Sequence, residues 1–344
     1  MKSFPLIVWL ALAGAASTPS VDSFGADRAS PTSRAPAAPI DMDMRAGAYR
    51  TYSAAVLKDL LASSDPRMLA LAAMAMPTMD EREKPLPTAE KNRLYVRAAA
   101  MAPHDALVQW IAAGWQLATR DNDHAATTIA TLTRIEPDNA AAWVLALNLA
   151  SQRSDKDGFD AAFAHIASST RSDEHLIDLL RAWMAVYDAH PAPAILFDTP
   201  ADADAASFEL AMSYAAAFAL PAYASLMSAC KQDESADPER VRRCGAAGRL
   251  MADHSTSLAG RSIGAALLRS SGAGDEERRD ATWISFHLGQ AIGFDVGDSL
   301  AMQAYIADWR NIDDELEIAR RALRRAGVSE SAPPGWSPPN VTVP

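Results

Sequence analysis

The chain is 344 residues long, 49% hydrophobic and only 7% aromatic, with a formal net charge of -11. That length and apolar content suit one extended domain or two compact ones, and the acidic balance disfavours nucleic acid and anionic lipid surfaces as partners. Much of the apolar fraction is alanine, the best helix former and a poor strand former, so composition predicts an all-α fold.

The chain opens with Lys2 and an apolar run from Phe4 to Ala16 that contains Ala13-Gly14-Ala15. A basic start, a short apolar stretch and a small-x-small site read as a signal peptide over 1–16. The run is too short to span a membrane comfortably, and no later segment is apolar for long enough. The mature chain is therefore expected to be soluble, without a transmembrane segment, and periplasmic or secreted. Residues 17–43, with Pro19, Pro31, Pro36 and Pro39, read as a disordered linker. Helices are then predicted from about Arg45 to Ala62, from Pro66 past Met76, and from a Thr88 cap to Met101, with a charged loop between Pro77 and Pro87.

The clearest pattern lies between residues 104 and 188. The spacing predicts helices over 104–119, 123–135, 139–150, 158–168 and 173–188, with a polar turn from Ser151 to Gly158. Such short loops join antiparallel hairpins. Pro137 closes one unit, Ala113 and Ala125 occupy its two small positions, and Trp110 and Trp143 begin successive units. From about Ala106 to Thr170 the chain resembles tetratricopeptide-repeat proteins, whose period is about 34 residues. The resemblance implies an all-α, right-handed superhelix of antiparallel helical hairpins with a concave binding face, and it brings no catalysis with it. On this reading the repeat-like array covers 44–190.

Past Pro191 the pattern is less regular, and 191–328 reads as a continuing irregular helical array. Helices are expected over 203–219, from Pro221 to Cys230, from Pro238 to about Met251, over 255–270, 276–291 and 300–310, and from Ile312 to Ala326. The last has Asp313, Asp314, Glu315 and Glu317 at its start and four arginines at its end, which matches the helix dipole. The tail from Ser329 to Pro344 is Pro-rich and expected to be unfolded, with Trp336 as a local anchor at most. Cys230 and Cys244 are the only cysteines. In an exported chain this pair is expected to form a disulfide between neighbouring helices.

Little in the sequence points to chemistry. Gly260-Arg261-Ser262-Ile263-Gly264 matches G-x-S-x-G, with His287 and Asp295 in reach along the chain. That motif belongs on a strand-to-helix turn, and the surroundings here are helical. The glycines are instead expected to be points of close helix contact. The histidines, at 104, 124, 165, 175, 190, 254 and 287, form no metal-ligand spacing. The acid pairs Asp173-Glu174, Glu276-Glu277 and Asp313-Asp314 sit at predicted helix starts, where acids are expected for local reasons. No catalytic, cofactor or metal site is expected, and the tryptophans read mainly as core. Trp115 falls on another part of its helix and is the candidate for an exposed, partner-binding aromatic. The expectation is an exported protein-binding or scaffold protein with a protein or peptide partner. The alternatives are a structural or assembly component without a ligand groove, or a hydrolase with dispersed catalytic residues.

Overall fold

The computed structural model describes residues 42–78, 86, 88–196, 203–219, 221–231, 237–270, 279–280, 283–284, 286–288 and 299–336. The expected signal peptide, nearly all of the linker, Glu276-Glu277 and Asp295 lie outside the described residues. Those residues form an all-α structure of helices packed in adjacent pairs, with two isolated β-bridges and no strands among them. The first hairpins are α1 (Met42–Ala62), α2 (Pro66–Ala75), α3 (Ala89–Met101), α4 (Ala106–Ala118), α5 (Asn122–Ile135), α6 (Ala140–Arg153) and α7 (Lys156–Ser168). Then follow α8 (Leu176–Ala189), α9 (Ala203–Ala219), α10 (Ala224–Ala229), α11 (Pro238–His254), α12 (Leu258–Ser270), α13 (Ser299–Asn311) and α14 (Glu315–Arg325).

Local chemistry sets most of these boundaries. Asp65, Asp105, Asn139, Asp155, Asp237 and Asp314 each accept a backbone N–H of the first helical turn, the bond that satisfies an otherwise orphaned donor. Two expectations need correction. The polar turn predicted from Ser151 to Gly158 shrinks to Ser154 and Asp155, because Ser154 takes a left-handed conformation (φ 55°) and Asp155 caps α7 through Gly158 N. Residues 329–336, expected to be unfolded, are placed against the helical residues before them. Trp283 Nε1 donates to Ser329 O at 2.7 Å, and the Trp336 ring meets Trp283 edge-on at 5.2 Å.

Three apolar cores share these helices. One joins α1–α4 to α8, α9, α13 and α14, with Trp183 and Trp309 fully buried in it. A second lies between α4, α5 and α6, and a third between α6, α7, α10, α11 and α12. Helix α6 serves two of them: Ala141, Ala142 and Leu145 face one core, and Ala140, Val144 and Leu147 the other. A helix that is apolar nearly all round is buried on several sides, which accounts for the run AAAWVLALNLA. Because α8, α9 and α13 complete the core of α1–α4, the chain folds back over the inner side of its own first hairpins.

Helices α11 and α12 approach closely. A Cβ on Gly264 would overlap the backbone of Met251 and Ala252, so only glycine fits there. This is the contact role expected of the G-R-S-I-G motif. Ser262 Oγ donates to Leu258 O at 2.8 Å within its own helix.

Candidate functional site: a polar node between the hairpins

The helix ends carry the densest polar chemistry. Residues 169–175 run between two other loops and bond to both. On one side Ala140 N donates to Arg171 O, Asn139 Nδ2 donates to Asp173 O, and Asp173 N donates to Asn139 Oδ1, all between 2.8 and 3.0 Å. On the other side Ser172 N donates to His254 O at 3.2 Å and Thr256 N to Ser172 O at 2.9 Å. The line continues to α14, whose Glu315 N donates to Thr256 O at 3.0 Å. Loops before α6, α8, α12 and α14 are thereby stitched into one polar node.

Its first half is ionic. His175 is 3% exposed and takes a left-handed backbone (φ 54°) directly before α8, a conformation that histidine tolerates better than bulkier residues. Its Nε2 lies 3.0 Å from Glu136 Oε2, its Nδ1 lies 3.5 Å from Asp178 Oδ2, and the Trp110 ring packs at 5.4 Å. Burial alone would lower the imidazole pKa, but hydrogen bonds and charge from Asp178, Glu136 and Asp173 outweigh it and raise the value to about 10. Burial alone would likewise raise Glu136. His175, Asn139 and Arg171 reverse that and hold it down at about 2. Arg171 closes the cluster, with Nη2 2.9 Å from Glu136 Oε1.

The second half contains carboxyls held by neutral groups. Glu174 is fully buried. Its Oε1 meets Tyr223 Oη at 2.8 Å, Ser255 Oγ at 2.9 Å and Ser172 Oγ at 3.2 Å. Burial pushes its pKa up against the hydrogen bonds of Tyr223 and Ser255. A Cβ on Gly260 would overlap both Ser255 Oγ and Glu174 Oε1, so the glycine makes room for this carboxyl. Glu315, 3% exposed, accepts Leu258 N at 2.7 Å and so caps α12 from another helix. Burial raises it to about 7.

Sequence reasoning missed this node. Asp173-Glu174 was expected at a helix start, but α8 begins at Leu176 and Glu174 turns inward under Tyr223 and Ser255. By contrast, Asp314 lies where expected and caps α14. Trp115 also departs from expectation. It is half-buried against the large core, its Nε1 donates to Asn92 Oδ1 at 2.6 Å, and Lys91 Nζ sits 4.4 Å from its ring centre. Its polar edge and one face are taken by its own chain. Cys230 and Cys244 are joined as expected, with Cα atoms 5.6 Å apart. His287 packs against Trp283 and Phe286.

A small, partly open cleft between α8, α9 and α13 is lined by Met184, Asp188, Ser207, Phe208 and Arg310, none of which belongs to the node. Among the described residues no group of three or more His, Cys, Asp or Glu side chains is placed to hold a metal, and no helix is long and apolar enough to cross a membrane. Comparison with known proteins returns no matching family model, no matching curated protein and no matching solved structure.

Proposed function

We propose that the chain is an exported helical-hairpin scaffold, of tetratricopeptide-repeat-like build, that binds a protein or peptide partner. The observation carrying this reading is the way the node consumes its own chemistry. Glu136 is shared between His175 and Arg171, Glu174 is saturated by hydroxyls of its own chain, and Glu315 caps α12. Such a constellation fixes hairpins in place and presents no reacting group to a substrate. The disulfide accords with an oxidising compartment.

The best contact surface is the outer face of α6–α7. There the exposed His165 stacks on the half-buried Trp143 at 3.8 Å and 6°, while Trp143 Nε1 donates to Pro137 O. A rigid aromatic held at a surface is the type of residue that dominates partner binding. The test is capture of partners from an extracytoplasmic extract by the mature protein under mild crosslinking. A stoichiometric partner, lost with Trp143→Ala in a variant whose circular dichroism is unchanged, supports the reading. Recovery of no partner overturns it in favour of a structural or assembly component, which the self-covered inner side of α1–α4 favours.

A further inference from the structure

We propose that Glu174 and Glu315 form a proton-holding latch that fastens the C-terminal hairpin α13–α14 to the α11–α12 loop and loosens as that proton is lost at rising pH. The geometry carries this through the character of the groups around a fully buried carboxyl, which are neutral hydroxyls. Ser172, Tyr223 and Ser255 all converge on Glu174 Oε1. Oε2 meets Ser255 Oγ at 3.0 Å, whose single hydrogen Oε1 also claims, and Thr256 Oγ1 at 3.5 Å, whose hydrogen has Asp173 Oδ1 at 3.0 Å, and the Ser257 hydroxyl also bonds the carboxyl. A hydroxyl has one hydrogen to give and lone pairs to spare. A proton on Oε2 can be donated to Ser255 Oγ, which then keeps its own hydrogen for Oε1. Among the described residues no arginine, lysine or histidine bonds either oxygen.

Glu315 faces Glu174 from α14. Among the described residues Leu258 N is the donor that bonds it, through Oε2. The other groups turned toward it are Arg261 of α12, Asp314 of its own helix and Tyr305 of α13. Arg261 is committed elsewhere, to Asp314 Oδ2 at 3.1 Å and to the carbonyls of Ala252 and Asp253. Asp308, beside Tyr305, is engaged by Arg325 at 2.6 Å. Two buried carboxyls with so little positive charge between them cannot both ionise without cost, and they titrate as a pair.

The consequence is directional. Glu315 stands raised from 4.5 to about 7, so its contribution is complete below the lower value and lost as pH rises through the upper. Ionisation of the pair acts on the α14 attachment, because Glu315 side chain and backbone both bond the 256–258 loop. Arg181 still holds the end of α13 through Trp309 O and Ile312 O, so the release is local. It loosens Tyr305 and Trp309 over Phe208 and so bares apolar surface on α9.

Hydrogen exchange on the full chain tests this. Protection factors for amides of α13–α14 are expected to fall about tenfold from about pH 5 to about pH 8 relative to those of α6–α7. In Glu315→Gln, which keeps an acceptor for Leu258 N, they should stay level within about twofold. A wild-type profile that stays level, or an equal fall in the variant, overturns the latch. Should the variant fold poorly, infrared spectroscopy of the wild type decides. A protonated-carboxyl band that vanishes with a midpoint near neutrality supports the latch, and absence of that band at about pH 6 overturns it.

Discussion

The two halves of the node each centre on a buried side chain, His175 and Glu315 both 3% exposed, and they are electrostatically opposite, although Arg171 and Asp178 carry the ionic half to the surface. Around His175 each charge has a counter-charge within 3.5 Å, and Glu136 and His175 are driven toward their ionised forms. Around Glu174 and Glu315 the bonding partners are hydroxyls and one backbone N–H, and burial drives both carboxyls toward their neutral forms. Burial alone therefore does not decide a group's charge. The identity of the groups that reach it does.

The largest effect should come from breaking the ionic half. Glu136→Ala leaves His175 and Arg171 without their shared carboxylate, and a loss of about 3–5 kcal/mol in urea denaturation is expected. A loss under about 1 kcal/mol would mean that water replaces the pair. The neutral half should be broken most readily by volume. Gly260→Ala forces a methyl against Ser255 and Glu174, with an expected cost of about 1–3 kcal/mol, and no loss in a chemical melt would show that the carboxyl has room to move. Ser255→Ala removes one hydroxyl from Glu174 and should cost about 1 kcal/mol by the same melt.

Titration separates the halves by sign. The Glu136 contribution is present above about 4.5 and lost as pH falls through about 2. The His175 contribution is present below 6.5 and lost as pH rises through about 10. Glu315 acts within that span, and its contribution fades from 4.5 to about 7. Thermal melts against pH should thus show a maximum on the acid side of neutrality. His175→Gln should weaken the alkaline decline and leave the step near neutrality in place. If the substitution removes both steps, the halves are not independent.

Most helices were legible because their causes are local. Asp65-Pro66, Asp105, Asn139 and Asp237-Pro238 announce helix starts within a few residues. The node was not, because its bonds join residues far apart: Glu174 meets Tyr223 and Ser255 at separations of 49 and 81. Within its own neighbourhood Asp173-Glu174 has the features of a helix N-terminus. The faint available signal was Gly260, a glycine inside a helix, where propensity alone disfavours it. Trp115 misled for a related reason. Helical spacing placed it away from Trp110, but a second core, closed partly by residues beyond 176, covers that face as well.

The disulfide gains a second meaning from where its helices lead. Cys230 ends α10, which Tyr223 precedes, and Cys244 lies in α11, which Ser255 follows. Both of those residues present a hydroxyl to Glu174. The covalent bond works as a calliper, holding two jaws at a set gap on either side of the carboxyl. Cutting the sulfur link should therefore be felt at a residue that neither cysteine touches.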